Sequence, residues 1–219
     1  MKYLVTSFVF ICLAASGQKP ERPYRGGFVT KDWAEVRSNY DLFYKNLGVK
    51  KNENVASVGA SCGYIEVQVS ALIDSINWTL QDIDTTRLNR ANFNKVLRYH
   101  EKLKGSPIAG QFKLVVGKIS KSNLEKNSYD RVLLINVYHE ISDRKSILTE
   151  IKESLKPGGS VVIMERMAHK QGQKHGDCKL PKLWEPDFLV EMKNFGFQMS
   201  GKIVPVKKFP MVYYTFNQI

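Results

Sequence analysis

At 219 residues the chain has room for one domain with small additions. A hydrophobic fraction of 43% with 11% aromatics is enough for a packed core, and no repeat or low-complexity tract argues for disorder or a solenoid. The net charge of +12 comes without a recognised nucleic-acid motif, and its lysines are spread along the chain, so they are read as solvated faces and nucleic acid is not an expected partner.

Lys2, the apolar run Leu4 to Leu13 and the small residues Ala14-Ala15-Ser16-Gly17 have the order of a secretory signal peptide. Ala15 and Gly17 suit the −3 and −1 positions, so residues 1–17 are expected to be removed and Gln18 to become the mature N-terminus. About ten apolar residues are too few to span a bilayer. The expected location is periplasmic or secreted, and cytoplasmic if the leader is not functional. No transmembrane span is expected after cleavage. The mature chain keeps Cys62 and Cys178, as one bridge or two free thiols.

Residues 18–31, rich in Pro, Gly and charge, read as an irregular arm before a domain over 32–219. Trp33, Val36, Tyr40, Phe43, Tyr44 and Leu47 then mark one face of a helix, capped by Asp32 or Thr30 and ended by Gly48. A strand over 55–58, a helix over 65–76, a strand over 78–82 and a long helix over 85–104 follow. Strands at 112–116 and 131–137 are joined by a polar connection too short for a full helix. A helix over 144–155 stops at Lys156-Pro157-Gly158-Gly159 before a strand over 160–164. After a basic loop, a helix over 186–195 is closed by Gly196, and strands over 197–206 and 211–216 turn near Pro210. Alternation of this kind predicts an α/β fold: a Rossmann-like, doubly wound, mostly parallel sheet with an antiparallel edge at its end. Ligands then sit beyond the carboxyl ends of the strands.

Those ends carry Gly59–Gly63, Asp82, Gly117-Lys118, Asn136–Glu140 and Glu165-Arg166. Gly59-Ala60-Ser61-Cys62-Gly63 fits two patterns. One is G-x-S-x-G, the nucleophile elbow of α/β-hydrolases, with Ser61 as nucleophile. The other is a glycine-rich turn under a nucleotide cofactor. The turn follows the domain's first strand, whereas an elbow comes after several strands and an oxyanion loop, so the hydrolase is the lesser reading. Asp82, about twenty residues on, is placed to accept two ribose hydroxyls, which marks an adenosine site without choosing between NAD and S-adenosylmethionine.

"VASVGASCGY", "LQDIDTTRL", "YDRVLLINVYHEI", "ILTEIKESLKPGGSVVIMER" and "FLVEMKNFGF" fall in order at the spacing of the class I S-adenosylmethionine-dependent methyltransferases, and from about residue 50 to 216 the chain resembles that family. "NVYHE" behind a signal peptide is similar to its exported, uncharacterised bacterial members. The resemblance implies a seven-stranded sheet with an antiparallel last strand, S-adenosyl-L-methionine as cofactor, and methyl transfer to a small-molecule acceptor. It places Gly59, Ala60, Ser61 and Gly63 along the cofactor, Asp82 and Ile83 at the ribose, Lys118 and Ile119 beside the adenine, and Asn136 beside the methionine moiety. Three positions depart from the family. Ser57 replaces the acid before the first glycine, Ser61 the middle glycine, and Lys118 the acid after the third strand. Losing two carboxylates near a cationic cofactor is expected to weaken binding by ~1 kcal/mol each. The competing function is a cofactor-fold binding protein without turnover.

Methyl transfer from a sulfonium mainly needs alignment and exclusion of water, and a base only where the acceptor must lose a proton. Tyr138, His139 and Glu140, just after the fourth strand, are the catalytic candidates, with His139 as base and Glu140 orienting it. His169, His175, Asp177 and Cys178 are metal-ligand types, but their spacing fits no standard zinc pattern and no metal is expected. Trp33 and Trp184 are candidates for an acceptor wall or for core.

Overall fold

The structure, a computed structural model, describes residues 30–204 and 211–219; the leader expected over 1–17, almost all of the arm expected over 18–31 and the turn expected near Pro210 lie outside them. Seven strands form one sheet: β1 (Asn54–Val58), β2 (Ile76–Asp82), β3 (Gly110–Val116), β4 (Tyr129–Ile135), β5 (Leu155–Arg166), β6 (Phe197–Ile203) and β7 (Met211–Gln218). Their order is β3-β2-β1-β4-β5-β7-β6. All neighbouring pairs from β3 to β5 are parallel, and β7 runs antiparallel to both β5 and β6. The expected antiparallel edge is therefore corrected in one respect: β7 lies one place inside, and β6 forms the edge. Side-chain chemistry explains the slot. β7 buries Tyr213, Tyr214 and Phe216 on the two faces, whereas Gln198, Met199 and Ser200 of β6 stay exposed.

Helices α1 (Trp33–Leu42), α2 (Tyr64–Leu72), α3 (Arg90–Lys104), α4 (Arg144–Ser154) and α5 (Glu185–Asn194) flank the sheet. The near-continuous apolar strands need cover on both faces. Leu133 of β4 packs with α2 and α3 residues such as Val67 and Phe93, while its neighbours Val132 and Leu134 pack with Ile147, Leu148 and Phe188 of α4 and α5. Alternate residues of one strand thus serve two cores. Trp33 packs against the first core.

Three helix boundaries differ from the reading above: α2 ends at Leu72 rather than 76, where β2 has already begun, and two others move as follows. α1 stops at Leu42 and continues as a 3-10 turn, Tyr44–Leu47, to left-handed Gly48, with Asp32 as its cap through Glu35 N. α3 begins at Arg90, not 85, because Asp84 holds Thr86 N and hydroxyl in a turn of its own and Asn89 caps the helix at Asn92 N. The polar connection between β3 and β4 has no helix and is tied down where the Glu150 carboxylate accepts from Ser122 N and Oγ, both at 2.6 Å. No helix among the described residues is long and apolar enough to cross a membrane.

Candidate functional site

A cleft of about 660 Å³ opens at the carboxyl ends of the parallel strands, within the usual range of small-molecule sites. Its floor is the turn between β1 and α2. Gly59, Ser61 and Gly63 all have left-handed backbones, with φ of 73°, 52° and 78°. Every second residue of G-x-S-x-G thus takes a conformation natural to glycine, which makes Ser61 the strained member. Close packing also excludes side chains at the two glycines: a Cβ on Gly59 would run into Val137, and one on Gly63 would lie 2.7 Å from Leu80 Cδ1. The turn is held by the end of β2. Gln81 O accepts from Gly59 N and Ala60 N, and Asp82 Oδ2 accepts from Ser61 N at 2.7 Å. Asp82 Oδ1 accepts from Asp84 N at 2.9 Å, so the carboxylate is fixed at the cleft wall by both neighbours.

Of the sequence-nominated cofactor residues, Gly59, Ala60, Ser61, Asp82, Ile83, Lys118, Ile119 and Asn136 line the cleft, while Gly63 packs behind it against Leu80 and Phe93. Ile83 and Ile119 are 55% and 64% exposed at the ends of β2 and β3. Apolar side chains that bare on the lip of a cleft offer the faces a flat heteroaromatic ring would cover. Asn136 takes a left-handed φ of 52° that its side chain tolerates.

Beside Ser57, where the resemblance implies an acid, stands the carboxyl group of Glu66. Glu66, in the first turn of α2, lines the cleft, and its Oε1 accepts from Ser57 Oγ at 2.5 Å. Its Oε2 is buried with no hydrogen-bond partner. Burial, helped by the charge of Asp82 and opposed by the Ser57 hydrogen bond, pushes the carboxyl up to about 7. Glu66 was missed in the sequence, where an acid in a helix's first turn reads as a favourable helix-dipole contact. Arg166, at the end of β5, was noted only as a strand end. It too lines the cleft, and its Nε is buried without a partner.

The three catalytic candidates separate. Glu140 lines the cleft, and its side chain is 53% exposed. Tyr138 is fully buried, its ring edge-on to Phe188 and beneath the Arg144 guanidinium. His139 is buried behind the cleft wall, held by Glu165. The 3-10 turn Tyr138–Glu140 causes this, because consecutive side chains on so tight a turn point in three directions. None of the four histidines lines the cleft with Ser61, so the serine has no imidazole base there. Cys62 and Cys178 are both free, one buried and one exposed. Trp33 and Trp184 are not among the cleft-lining residues.

Residues 59–163 match the family description "Methyltransferase domain". That stretch is a methyltransferase domain. Its fold is similar to that of a SAM-dependent methyltransferase from Aquifex aeolicus, at a TM-score of 0.61 and 16% identity over 87% of this chain and 100% of that one. The glycopeptide N-methyltransferase MtfA, solved with S-adenosyl-L-homocysteine, is similar at 0.60 and 15% identity, covering 90% of each chain. A 68-residue stretch is 36% identical to the highly reducing polyketide synthase PKS2 of Leptosphaeria maculans, a match taking in 31% of this chain and 3% of that protein. The cofactor named for these structural neighbours is S-adenosylmethionine or its demethylated product, and the cleft fits it by its donor set. Asp82 offers a carboxylate for a vicinal diol, Ile83 and Ile119 an apolar slot, and Glu66 an unpartnered buried carboxyl oxygen for a cation.

Proposed function

We propose that the domain holds S-adenosylmethionine along the ends of β1 to β4 and methylates a small acceptor bearing an anionic or carbonyl oxygen, seated beyond β4, β5 and β7. In this reading Asp82 receives the ribose hydroxyls, Ile83 and Ile119 flank the adenine with Lys118 at its edge, and the turn Gly59–Ser61 lets backbone pass close. Glu66 and Asn136 face the methionine end. The bound cofactor supplies an already activated methyl group. The chain's own residues contribute placement and dryness.

The acceptor side rests on one observation, the buried and unpartnered Arg166 Nε in a wall that is mostly apolar, with Ile135, Ile141, Ile147, Met164 and Met211 beside Glu140 and Ser142. An orphaned guanidinium donor among apolar side chains selects a ligand oxygen, most strongly a charged one. Glu140 is the proton acceptor in this reading, as the one catalytic candidate that lines the cleft. Residues 1–17 are taken to direct export. Formation of S-adenosylhomocysteine, followed across a panel of small carboxylates, phenols and amines, tests the proposal. Turnover confined to acceptors with a carboxylate or carbonyl supports it, and equal turnover of simple amines lacking one contradicts it.

A further inference from the structure

Behind the cleft wall, three ligand-type side chains meet that the methyl-transfer reading leaves unused. Ligand atoms of His139, His175 and Cys178 lie within 4.8 Å of one another. Two come from a small hairpin. Lys174 bridges Pro181, His175 N donates to Leu180 O, and Lys182 N donates to Gln173 O, so His175-Gly176-Asp177-Cys178 forms the tip. A spacing of three across a tight tip lets both side chains reach one point, as in a C-x2-C knuckle. His139 arrives from the end of β4, 36 residues earlier in the chain.

The surroundings are those of a ligand set. The Glu165 carboxylate, fully buried, lies 3.0 and 3.1 Å from His139 Nδ1 and accepts from its backbone N–H at 3.2 Å. That contact assigns the proton to Nδ1 and turns Nε2 away as the coordinating nitrogen, the carboxylate–histidine arrangement that supports metal-binding imidazoles. His175 is 97% buried, with an Nε2 that has no hydrogen-bond partner. An apolar site for that ring would leave the nitrogen orphaned at a cost of about 1–3 kcal/mol. Both nitrogens suit zinc, as does a thiolate.

We propose that His139 Nε2, His175 and Cys178 Sγ bind one divalent ion of the zinc type, with Glu165 orienting His139 and a fourth position on the exposed Cys178 side. The ion pins the hairpin between β5 and α5 to the ends of β4 and β5, next to Glu140 and Arg166 of the cleft. The two rings now stack with centroids 3.9 Å apart and planes 19° from parallel, and lone pairs held in nearly parallel planes do not meet at one ion. Binding therefore turns His175, the ring with the unpartnered Nε2, out of the stack. Metal and proton compete for the nitrogens and the thiol, so binding releases protons and strengthens as pH rises.

The test is titration of the full chain, purified without a histidine tag and stripped with chelator, with cobalt(II) alone and then zinc(II). The site predicts one ion per chain, a thiolate-to-cobalt charge-transfer band with four-coordinate ligand-field bands, and displacement by zinc. Cys178→Ser removes the charge-transfer band while Cys62→Ser keeps it. Because Cys178 is exposed, C178S keeps the fold, which circular dichroism checks. Glu165→Gln weakens affinity about 10- to 100-fold. Zinc raises the Tm of the wild type and leaves that of C178S unchanged. A folded protein that shows no charge-transfer band, or a band that survives C178S, overturns the site.

Discussion

Replacing Glu66 by Gln separates the cost of a buried carboxyl from its use. Glu66 is 2% exposed, and its carboxyl is pushed from 4.5 to about 7 by burial first and by Asp82 as well. A folded value above the unfolded one means that the neutral acid is favoured in the native state. The associated stability is fully present below about pH 4.5 and is lost as pH rises through 7. At ~1.36 kcal/mol per pH unit, the shift amounts to ~3 kcal/mol, of which about 2 kcal/mol is lost between pH 5 and pH 8. Gln is nearly isosteric with the protonated acid and does not titrate. Urea unfolding of both proteins at these two pH values should find E66Q gaining about 2 kcal/mol on the wild type at the higher pH. In the proposed site the same substitution weakens S-adenosylmethionine binding, and wild-type affinity rises from pH 6 to pH 8 as the carboxylate forms. A stability difference between the two proteins that stays constant with pH would refute the buried, pH-linked carboxyl.

Three further outcomes follow from single contacts. Ser61→Gly relieves a left-handed backbone worth about 1–2 kcal/mol against ~0.5–1 kcal/mol of added chain entropy. Thermal melts should show unchanged or slightly raised stability, and a loss beyond about 1 kcal/mol would mean the hydroxyl holds the turn. Arg166→Met should raise KM for the acceptor about 10- to 100-fold, the range of a lost hydrogen bond to a charged group, while Kd for S-adenosylmethionine moves little. An equal loss in both would move Arg166 to the cofactor side. N-terminal sequencing of the chain expressed in a bacterial host should begin at Gln18; a chain that keeps Met1 in the cytoplasmic fraction would rule out the leader.

Legibility followed the range of the interaction. The strand-turn-helix after Val58 and the position of Asp82 could be read because they depend on local glycines, apolar runs and a short spacing. The boundary of α3 could not, since Asp84 and Asn89 are both capping types: Asp84 closes a turn at Thr86, Asn89 caps the helix, and its first turn packs Phe93 on Phe112. The slot of β7 depends on which of two strands buries more on both faces. Two pairings across the fold carry most of what was unreadable. Ser57 looks like a lost acid until Glu66, nine residues on, is seen sharing its hydrogen bond. His139 looks like a base until the sheet brings Glu165 to one nitrogen and the hairpin stacks His175 on its face.

The most direct test of the cofactor cleft is calorimetric titration of the chain with S-adenosylmethionine and S-adenosylhomocysteine, NAD serving as control, in wild type and Asp82→Ala. The geometry predicts one site of about micromolar affinity for the first two, no binding of NAD, and loss of binding in D82A. A well-folded wild type that binds neither, or binds both equally well without the Asp82 carboxylate, would contradict it.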